Sequence, residues 1–402
     1  MSSSRLLAGV SGGLSPSLDN HLALFGPLGA HDDLIVAVER AGLRGRGGAS
    51  FPTAAKLTAV ADAGGRPVVV ANAVEGEPVS GKDRALLRVA PHLVLDGMVA
   101  ASRALGARDA VVAVSHGATR ERAIVEEAIG RRRGGDSGVR LRTAAVPERF
   151  VAGEETALVN ALSGGEARPS LKPPYPFQQG VDGAPTLLSN AETLAHVALI
   201  ARFGPTWFRG AGGPDTPGTA LVTLGGSIAR PGVYEIELGA GLAEVLEGAG
   251  NPTGPVQGVL VGGLFGRWIS PRDVPGYALT PDVLGAGAIV VVPDDACALA
   301  ECARVLEYLA GESAGQCGPC VHGLRAIADV MHESRSAARG ARLAELAAQV
   351  ARRGACRHPD GAVGFLSSAL DVFADDFARH TKRGSCGRRD ARVIAVGNGR
   401  RR

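Results

Sequence analysis

Several things are missing from this chain of 402 residues, and each absence narrows what it can be. A large excess of one charge sign is missing. The 43 Lys and Arg stand against 40 Asp and Glu, and a net charge of +3 gives no ground for a nucleic-acid partner. Local basic runs, Arg131-Arg132-Arg133 and the extreme C-terminus, read as solvated surface. Long hydrophobic runs are missing too. None approaches the ~18 residues of a membrane span, so no direct span is expected. The start, Met1-Ser2-Ser3-Ser4-Arg5, leads into Leu and Gly without the apolar core and small-residue cleavage site of a secretion signal. A cytosolic (cytoplasmic) location is the expectation. Cysteine is scarce. In that compartment the six cysteines read as free, ligating or redox-active thiols rather than a disulfide framework.

What is present suits a globular protein of two or three domains, with 45% apolar residues to build its cores. From Asp32 to about Ala201 helix and strand patterns alternate. The run 33–38 can open a buried helix, Pro67–Ala73 and Asp109–Val114 read as buried parallel strands, and Leu93–Leu105 as a helix. This predicts an α/β fold, a parallel sheet with helices on its faces. A break follows over Gly210–Gly218. Strands over 220–224, 232–236 and 258–261, with a short helix over 242–249, suit a small grasp-type module. After Ile289-Val290-Val291-Val292 the spacing turns helical, over 299–309, 324–331 and 343–350. The expected division is residues 1–209, an α/β domain; 219–293, a β-grasp domain; 294–382, a helical domain; and 383–402, a basic disordered tail.

Four places could carry chemistry. Gly42-Leu43-Arg44-Gly45-Arg46-Gly47-Gly48-Ala49-Ser50-Phe51-Pro52-Thr53 is a glycine-rich stretch whose backbone can approach a ligand, with a helix start beyond it to face a phosphate. It is not a G-x-G-x-x-G fingerprint, and it does not follow a strand. Glycine makes up about 14% of the chain, 57 residues against a usual ~7%, so an ordinary loop is the competing reading. Asn72-Ala73-Val74-Glu75-Gly76-Glu77-Pro78 follows a buried strand, where ligands of open parallel sheets bind. Gly153-Glu154-Glu155-Thr156-Ala157-Leu158 opens a helical run, where acidic residues also arise from the helix dipole alone. Cys317-Gly318-Pro319-Cys320, with Cys356, can chelate a metal or cluster or act as a dithiol. Cys297 and Cys302 fall in an apolar helix pattern and read as core.

Together these strings resemble the NADH-binding flavin subunit of respiratory complex I and its relatives in NAD-linked hydrogenases and formate dehydrogenases. The likeness rests on residues 42–53, Glu75-x-Glu77-Pro78 with Lys82-Asp83-Arg84, and 153–158. It extends to Arg168-Pro169-x-Leu171-Lys172-Pro173-Pro174-Tyr175-Pro176 and Asn190-x-Glu192-Thr193-Leu194, and runs from about Asp32 to about His380. The resemblance implies a flavin/NADH domain, a β-grasp domain and a helical bundle with a [4Fe-4S] cluster. It places Gly45, Arg46, Gly47, Lys56, Asn72, Gly153, Glu154, Ser189, Asn190 and Thr193 around FMN. It sets Phe51 and Tyr175 beside the nicotinamide and adenine, and Glu75, Glu77 and Glu155 at the ribose and amide groups, which favours NADH over NADPH. Cys317, Cys320 and Cys356 are the implied metal ligands, no residue is assigned as catalytic, and a ferredoxin-like or other iron–sulfur protein is the implied acceptor. The implied enzyme is an FMN-dependent NADH:acceptor oxidoreductase.

The sequence also departs from the family. Ala314 stands where the motif has a first cysteine, so the cluster is either a [3Fe-4S] form, a [4Fe-4S] form completed by another ligand, or lost. Cys386, His322 and His358 are the candidate substitutes; Cys302 lies roughly 18 Å along a helix from position 314 at ~1.5 Å per residue. Val74, Ser189 and Ala59 replace an acidic residue, an asparagine and an aromatic. Two rival functions follow: a non-catalytic paralogue acting as a docking subunit, or a dithiol protein using the thioredoxin-like string at Cys317 and Cys320.

Overall fold

Unbroken valine-rich runs make the first sheet. β1 (Val68–Ala73), β2 (Asp109–Ser115), β3 (Arg140–Val146) and β4 (Thr186–Asn190) are all parallel, in the order β3-β2-β1-β4. These elements belong to a computed structural model describing residues 4–11, 13–29, 33–132, 138–333 and 339–397. β1 and β2 are buried on both faces, as a parallel sheet between helices requires. One face packs the helices Leu34–Ala41, Pro91–Leu105 and Ala191–Arg209 around Leu93, Met98, Leu194 and Phe208. The other packs the helix Glu155–Leu162 through Leu158 onto Val70 and Leu188. Gly97 permits the close approach of Pro91–Leu105 to Ala191–Arg209, because a Cβ there would lie 1.8 Å from the Leu194 carbonyl oxygen.

The order matters for function. The chain steps outward from β1 through β2 to β3, then crosses back to lay β4 on the far side of β1. The strand order therefore turns between β1 and β4, and ligands of open parallel sheets bind in the crevice at the carboxyl ends of strands at such a point.

The second sheet holds β5 (Thr219–Gly226), β6 (Gly232–Glu237), β7 (Val256–Val261), β8 (Arg267–Ile269) and β9 (Ala288–Pro293), in the order β6-β5-β9-β7-β8. β5 and β9 run parallel at its centre, and the other neighbours are antiparallel. The helix Leu242–Gly248 covers one face through Leu242 and Leu246. This is the grasp arrangement. The opposite face, with Leu260, Trp268, Val290 and Val292, joins the core of the helical region. That region comprises Ala298–Gly311, a π-helical turn Pro319–Leu324, Arg325–His332, Arg339–Val350, His358–Val372 and Ala374–Arg383.

Three expectations change. The basic tail is not loose over residues 384–397: Val393 N and Ile394 N donate to the Glu301 carboxylate at 2.9 and 3.0 Å, and Ile394 is fully buried. A buried carboxylate and an apolar anchor outweigh the polar composition there; residues 398–402 lie outside the described residues. Arg132 is not solvated surface either, since its guanidinium pairs with buried Asp96 at 2.6 Å. Arg133 and Asp32 lie outside the described residues. Cys297 is buried, but it meets His380 and Cys386 rather than packing solely in the core. Among the described residues no single helix is long and apolar enough to cross a membrane.

Candidate functional site

The crevice at the ends of β1 and β4 is built from two asparagines in register, Asn72 and Asn190. Asn72 Nδ2 donates to Gly153 O at 2.9 Å, and Asn190 Nδ2 donates to Asn72 O at 3.3 Å and Asp83 Oδ2 at 2.7 Å. Ser189, buried on β4, faces Ala71 of β1 across the ladder. Glu154 caps the Glu155–Leu162 helix, accepting from Thr156 N at 2.8 Å and Ala157 N at 3.0 Å. Lys172 bridges Glu154 at 3.3 Å and Glu155 at 2.7 Å. Lys56 Nζ donates to Leu188 O at 3.0 Å and stands 4.0 Å from Glu155. Burial pulls the Lys56 ammonium below its usual pKa, against the opposing charge of Glu155.

The glycine stretch closes on itself, with Gly45 N donating to Phe51 O at 2.8 Å and Thr53 N to Leu43 O at 2.9 Å. The loop rests on the crevice wall. A Cβ on Gly47 would lie 3.2 Å from Asn190 Cβ, and Arg46 N donates to Thr193 Oγ1 at 2.9 Å. The buried Arg46 side chain donates to Thr219 O and Arg44 O, while its Nη2 has no partner. Burial lowers this guanidinium to about 10. The Thr53 hydroxyl is likewise buried without a partner. Phe51 and Tyr175 are 51% and 44% exposed, and Tyr175 stacks on Phe177 with centroids 5.6 Å apart.

Two residues expected at a ribose are committed elsewhere. The Glu75 carboxylate accepts from Ser80 Oγ at 2.9 Å, Asp83 N at 2.9 Å and Arg84 N at 3.1 Å. It therefore caps the helix Lys82–Val89, with its side chain 2% exposed. Glu77 accepts from Val79 N at 3.4 Å and from Leu264 N of the grasp module at 2.9 Å. Burial pushes its carboxyl up to about 7. Glu155 remains the carboxylate at the crevice. Residues to which no role was assigned hold the floor instead: buried Lys82 pairs with Asp83 at 3.0 Å and Glu192 at 2.8 Å, and Glu192 stands 3.9 Å from Arg46. Their signal lay in the Lys82-Asp83-Arg84 and Asn190-x-Glu192 strings.

The thiols lie next to this crevice. Cys317 leads into the π-helical turn, which carries Cys320, and Cys356 precedes the helix His358–Val372. Burial pushes the Cys320 thiol up to about 12, with Cys317 and Cys356 adding to the shift. Cys356 is raised by burial and by the nearby charge of Glu154 and thiol of Cys317, and lowered by Lys172. Two side chain–backbone hydrogen bonds make the same connection: Phe150 N donates to Glu312 Oε2 at 2.9 Å and Arg149 Nη2 to Ser313 O at 3.1 Å, just before Ala314. The proposed substitutes for Ala314 fare unequally. Cys386 is drawn to Cys297 and His380. His322 is exposed, and His358 Nε2 donates to Leu309 O at 2.7 Å with its ring against Phe150 and Phe265. Cys302 is fully buried. The surrounding helices lack the βαβ context of a thioredoxin-type dithiol.

Comparison with known proteins gives this arrangement a family. Residues 38–199 match the Nuo51 FMN-binding domain, and residues 300–380 match the NADH-ubiquinone oxidoreductase-F iron-sulfur binding region. The chain is 32% identical over 379 residues to an F-type subunit of the NADH-quinone oxidoreductase of Rhizobium meliloti, covering 88% of this chain and 90% of that one. It belongs to the family of NADH-quinone oxidoreductase F-type subunits. A shorter likeness, 34% over 307 residues, is to the alpha subunit of the NAD-reducing hydrogenase HoxS of Cupriavidus necator, covering 73% of this chain and half (50%) of that one. The crystal structure of an NAD+-reducing [NiFe]-hydrogenase in the air-oxidized state superposes with a TM-score of 0.83 at 32% identity, over 92% of this chain and 66% of that chain. Within the family frame, β1–β4 and the crevice fall in the FMN-binding match, and Cys317, Cys320 and Cys356 in the iron–sulfur match.

Proposed function

We propose that this chain is a cytosolic FMN-dependent NADH:acceptor oxidoreductase that passes electrons to an iron–sulfur centre and on to a companion iron–sulfur protein. The observation that carries the reading is adjacency: the crevice segment 149–155 is bonded to Glu312 and Ser313, and Cys356 feels the charges of Glu154 and Lys172.

The crevice residues fit a phosphorylated, planar cofactor. Arg46 Nη2 and Thr53 Oγ1 are buried donors without partners, which an incoming oxygen would satisfy. Gly153 leaves open the space above Asn72, where a Cβ would come no nearer than 3.8 Å to any neighbour. Gly45, Arg46, Gly47, Lys56, Asn72, Gly153, Glu154, Ser189, Asn190 and Thr193 would hold FMN, which when bound supplies the exchange between two-electron and one-electron chemistry. Lys56, held half-buried by Leu188 O and Glu155, brings positive charge to the same place. Phe51 and Tyr175 present aromatic faces for the nucleotide rings, and Glu155, anchored by Lys172, supplies the acceptor for ribose hydroxyls and disfavours a 2′-phosphate. For the cluster, the donor set fits in part: Cys317, Cys320 and Cys356 provide three thiolates and the Ala314 methyl none. Three thiolates suit a three-iron centre, or a four-iron centre whose last corner takes a ligand from outside the motif.

The test is the visible spectrum of anaerobically purified protein, before and after NADH, with iron counted on the same sample. A flavin spectrum that bleaches with NADH is expected. A colourless, iron-free protein that does not take up added FMN would overturn the enzyme and leave a docking subunit.

A further inference from the structure

Cys386 lies beyond the residues matched as an iron–sulfur region, and the group it joins contains none of the three thiols of that region. Its Sγ, the Cys297 Sγ and a His380 ring nitrogen all lie within 4.8 Å of one another. Cys297 Sγ and His380 Nε2 are 3.3 Å apart. A tetrahedral zinc, with Zn–S near 2.3 Å and Zn–N near 2.0 Å, separates such atoms by roughly 3.5 Å. Two sulfurs and an imidazole are also the donor set that selects zinc over magnesium or calcium.

Three separate elements converge to make the group. Cys297 sits at the N-cap of Ala298–Gly311, its main-chain N donating to Arg389 O at 2.8 Å. His380 lies in the last turn of Ala374–Arg383, and Gly384, at φ 77°, turns the chain back so that Cys386 returns towards both. The strap beyond is fastened by an Asp295–Arg389 ion pair at 2.6 Å and by the Glu301 bonds to Val393 and Ile394. Arg379 and Arg388 both pair with buried Asp376, which fixes the turn that carries Cys386.

We propose that Cys297, His380 and Cys386 bind a divalent cation of the zinc class, which pins the C-terminal strap to the helical region. Binding releases the two thiol protons to solvent and leaves one tetrahedral position for water. The site is independent of the flavin and of the three-thiol centre, so it stands or falls separately from the proposed oxidoreductase activity.

Cobalt(II) is the probe. It is titrated anaerobically into the reduced full-length chain and into a Cys317→Ser/Cys320→Ser variant, in which the neighbouring centre is disabled. The double-serine variant should show thiolate-to-cobalt absorption saturating near one equivalent and displaced by zinc, and the unaltered chain at least as much. Cys386→Ser and His380→Gln, made in that double-serine background, should weaken cobalt binding at least tenfold with an unchanged circular dichroism spectrum. The half-exposed Cys386 makes its serine variant the safer one for folding. Undiminished absorption in Cys386→Ser would overturn the site. So would its loss in the Cys317→Ser/Cys320→Ser variant alone, or alkylation mapping that finds Cys297 and Cys386 joined as a disulfide in zinc-supplemented, anaerobically purified protein.

Discussion

Replacing Glu77 by glutamine should remove a pH dependence from the stability of the join between the parallel sheet and the grasp module. The Glu77 carboxyl is pushed from its ordinary 4.5 up to about 7, chiefly by burial, although Leu264 N and Val79 N donate to it and pull the other way. Between pH ~4.5 and ~7 the unfolded chain is ionised at this residue while the folded chain keeps its proton. The folded state then binds more protons, so stability falls as pH rises through that window and levels off above it. At 1.36 kcal/mol per unit the whole shift corresponds to about 3 kcal/mol. Partial exposure of the residue trims the expectation to about 2 kcal/mol. Glutamine keeps the shape and one acceptor but does not titrate. Urea unfolding of both proteins at steps from pH 5 to pH 8, followed by tryptophan fluorescence, reads the difference, since Trp268 lies in β8 just beyond the Leu264 turn. The glutamine variant should gain on the wild type by about 2 kcal/mol as pH rises from 5 to 8. A gap that stays constant across that range would refute the reasoning.

Three further outcomes follow from the same geometry. Asp96→Asn should cost about 3–5 kcal/mol at pH 7, because it leaves Arg132, Arg202 and His21 around a buried site without their carboxylate; a loss below about 1 kcal/mol in denaturant would count against that. Gly153→Ala should fold with stability within about 0.5 kcal/mol of wild type, its Cβ meeting Val74 at an ordinary 3.8 Å, yet bind FMN at least tenfold more weakly by fluorescence titration. Equal FMN affinity would remove Gly153 from the cofactor floor. Ala314→Cys should raise bound iron towards about four atoms per chain and slow its loss to chelators, and unchanged iron would show that position 314 does not face the centre.

The parts of the fold legible in the sequence were those with a single dominant signal. Val68–Ala73 and Asp109–Ser115 are near-continuous apolar runs, and each forms a central strand. β3 escaped because it is an edge strand whose Arg140 and Arg142 alternate with apolar residues, a pattern that serves a solvent-facing edge and hides a strand. β4 escaped because five residues after a Gly/Pro-rich turn give no period to read. The site was legible through its strings, which located the glycine loop, Asn72, Gly153 and Asn190 at one crevice. Side-chain commitments were not. A glutamate after a strand reads the same whether it meets a sugar hydroxyl or caps the next helix, and only the Asp83 and Arg84 amides decide that Glu75 does the latter.

That distinction bears on what separates an oxidoreductase from a docking relative. Much of the matched string is needed for folding alone. Lys82, Asp83, Asn190 and Glu192 form a buried network, Glu75 and Glu154 cap helices, and Glu77 ties two modules together. Their presence therefore argues equally for both readings. The discriminating residues are those whose state is unfavourable in the bare protein. Arg46 Nη2 and Thr53 Oγ1 are buried donors left unmade, each a cost of about 1–3 kcal/mol. The Lys56 ammonium sits where burial opposes its charge, and Phe51 and Tyr175 hold aromatic faces in water. A bound nucleotide or flavin phosphate that reached these groups would relieve them, which is what the oxidoreductase reading requires and a docking role does not. The choice thus rests on this small set of groups, and FMN affinity measured on Arg46, Lys56 and Phe51 variants separates the two more sharply than any count of matching motifs.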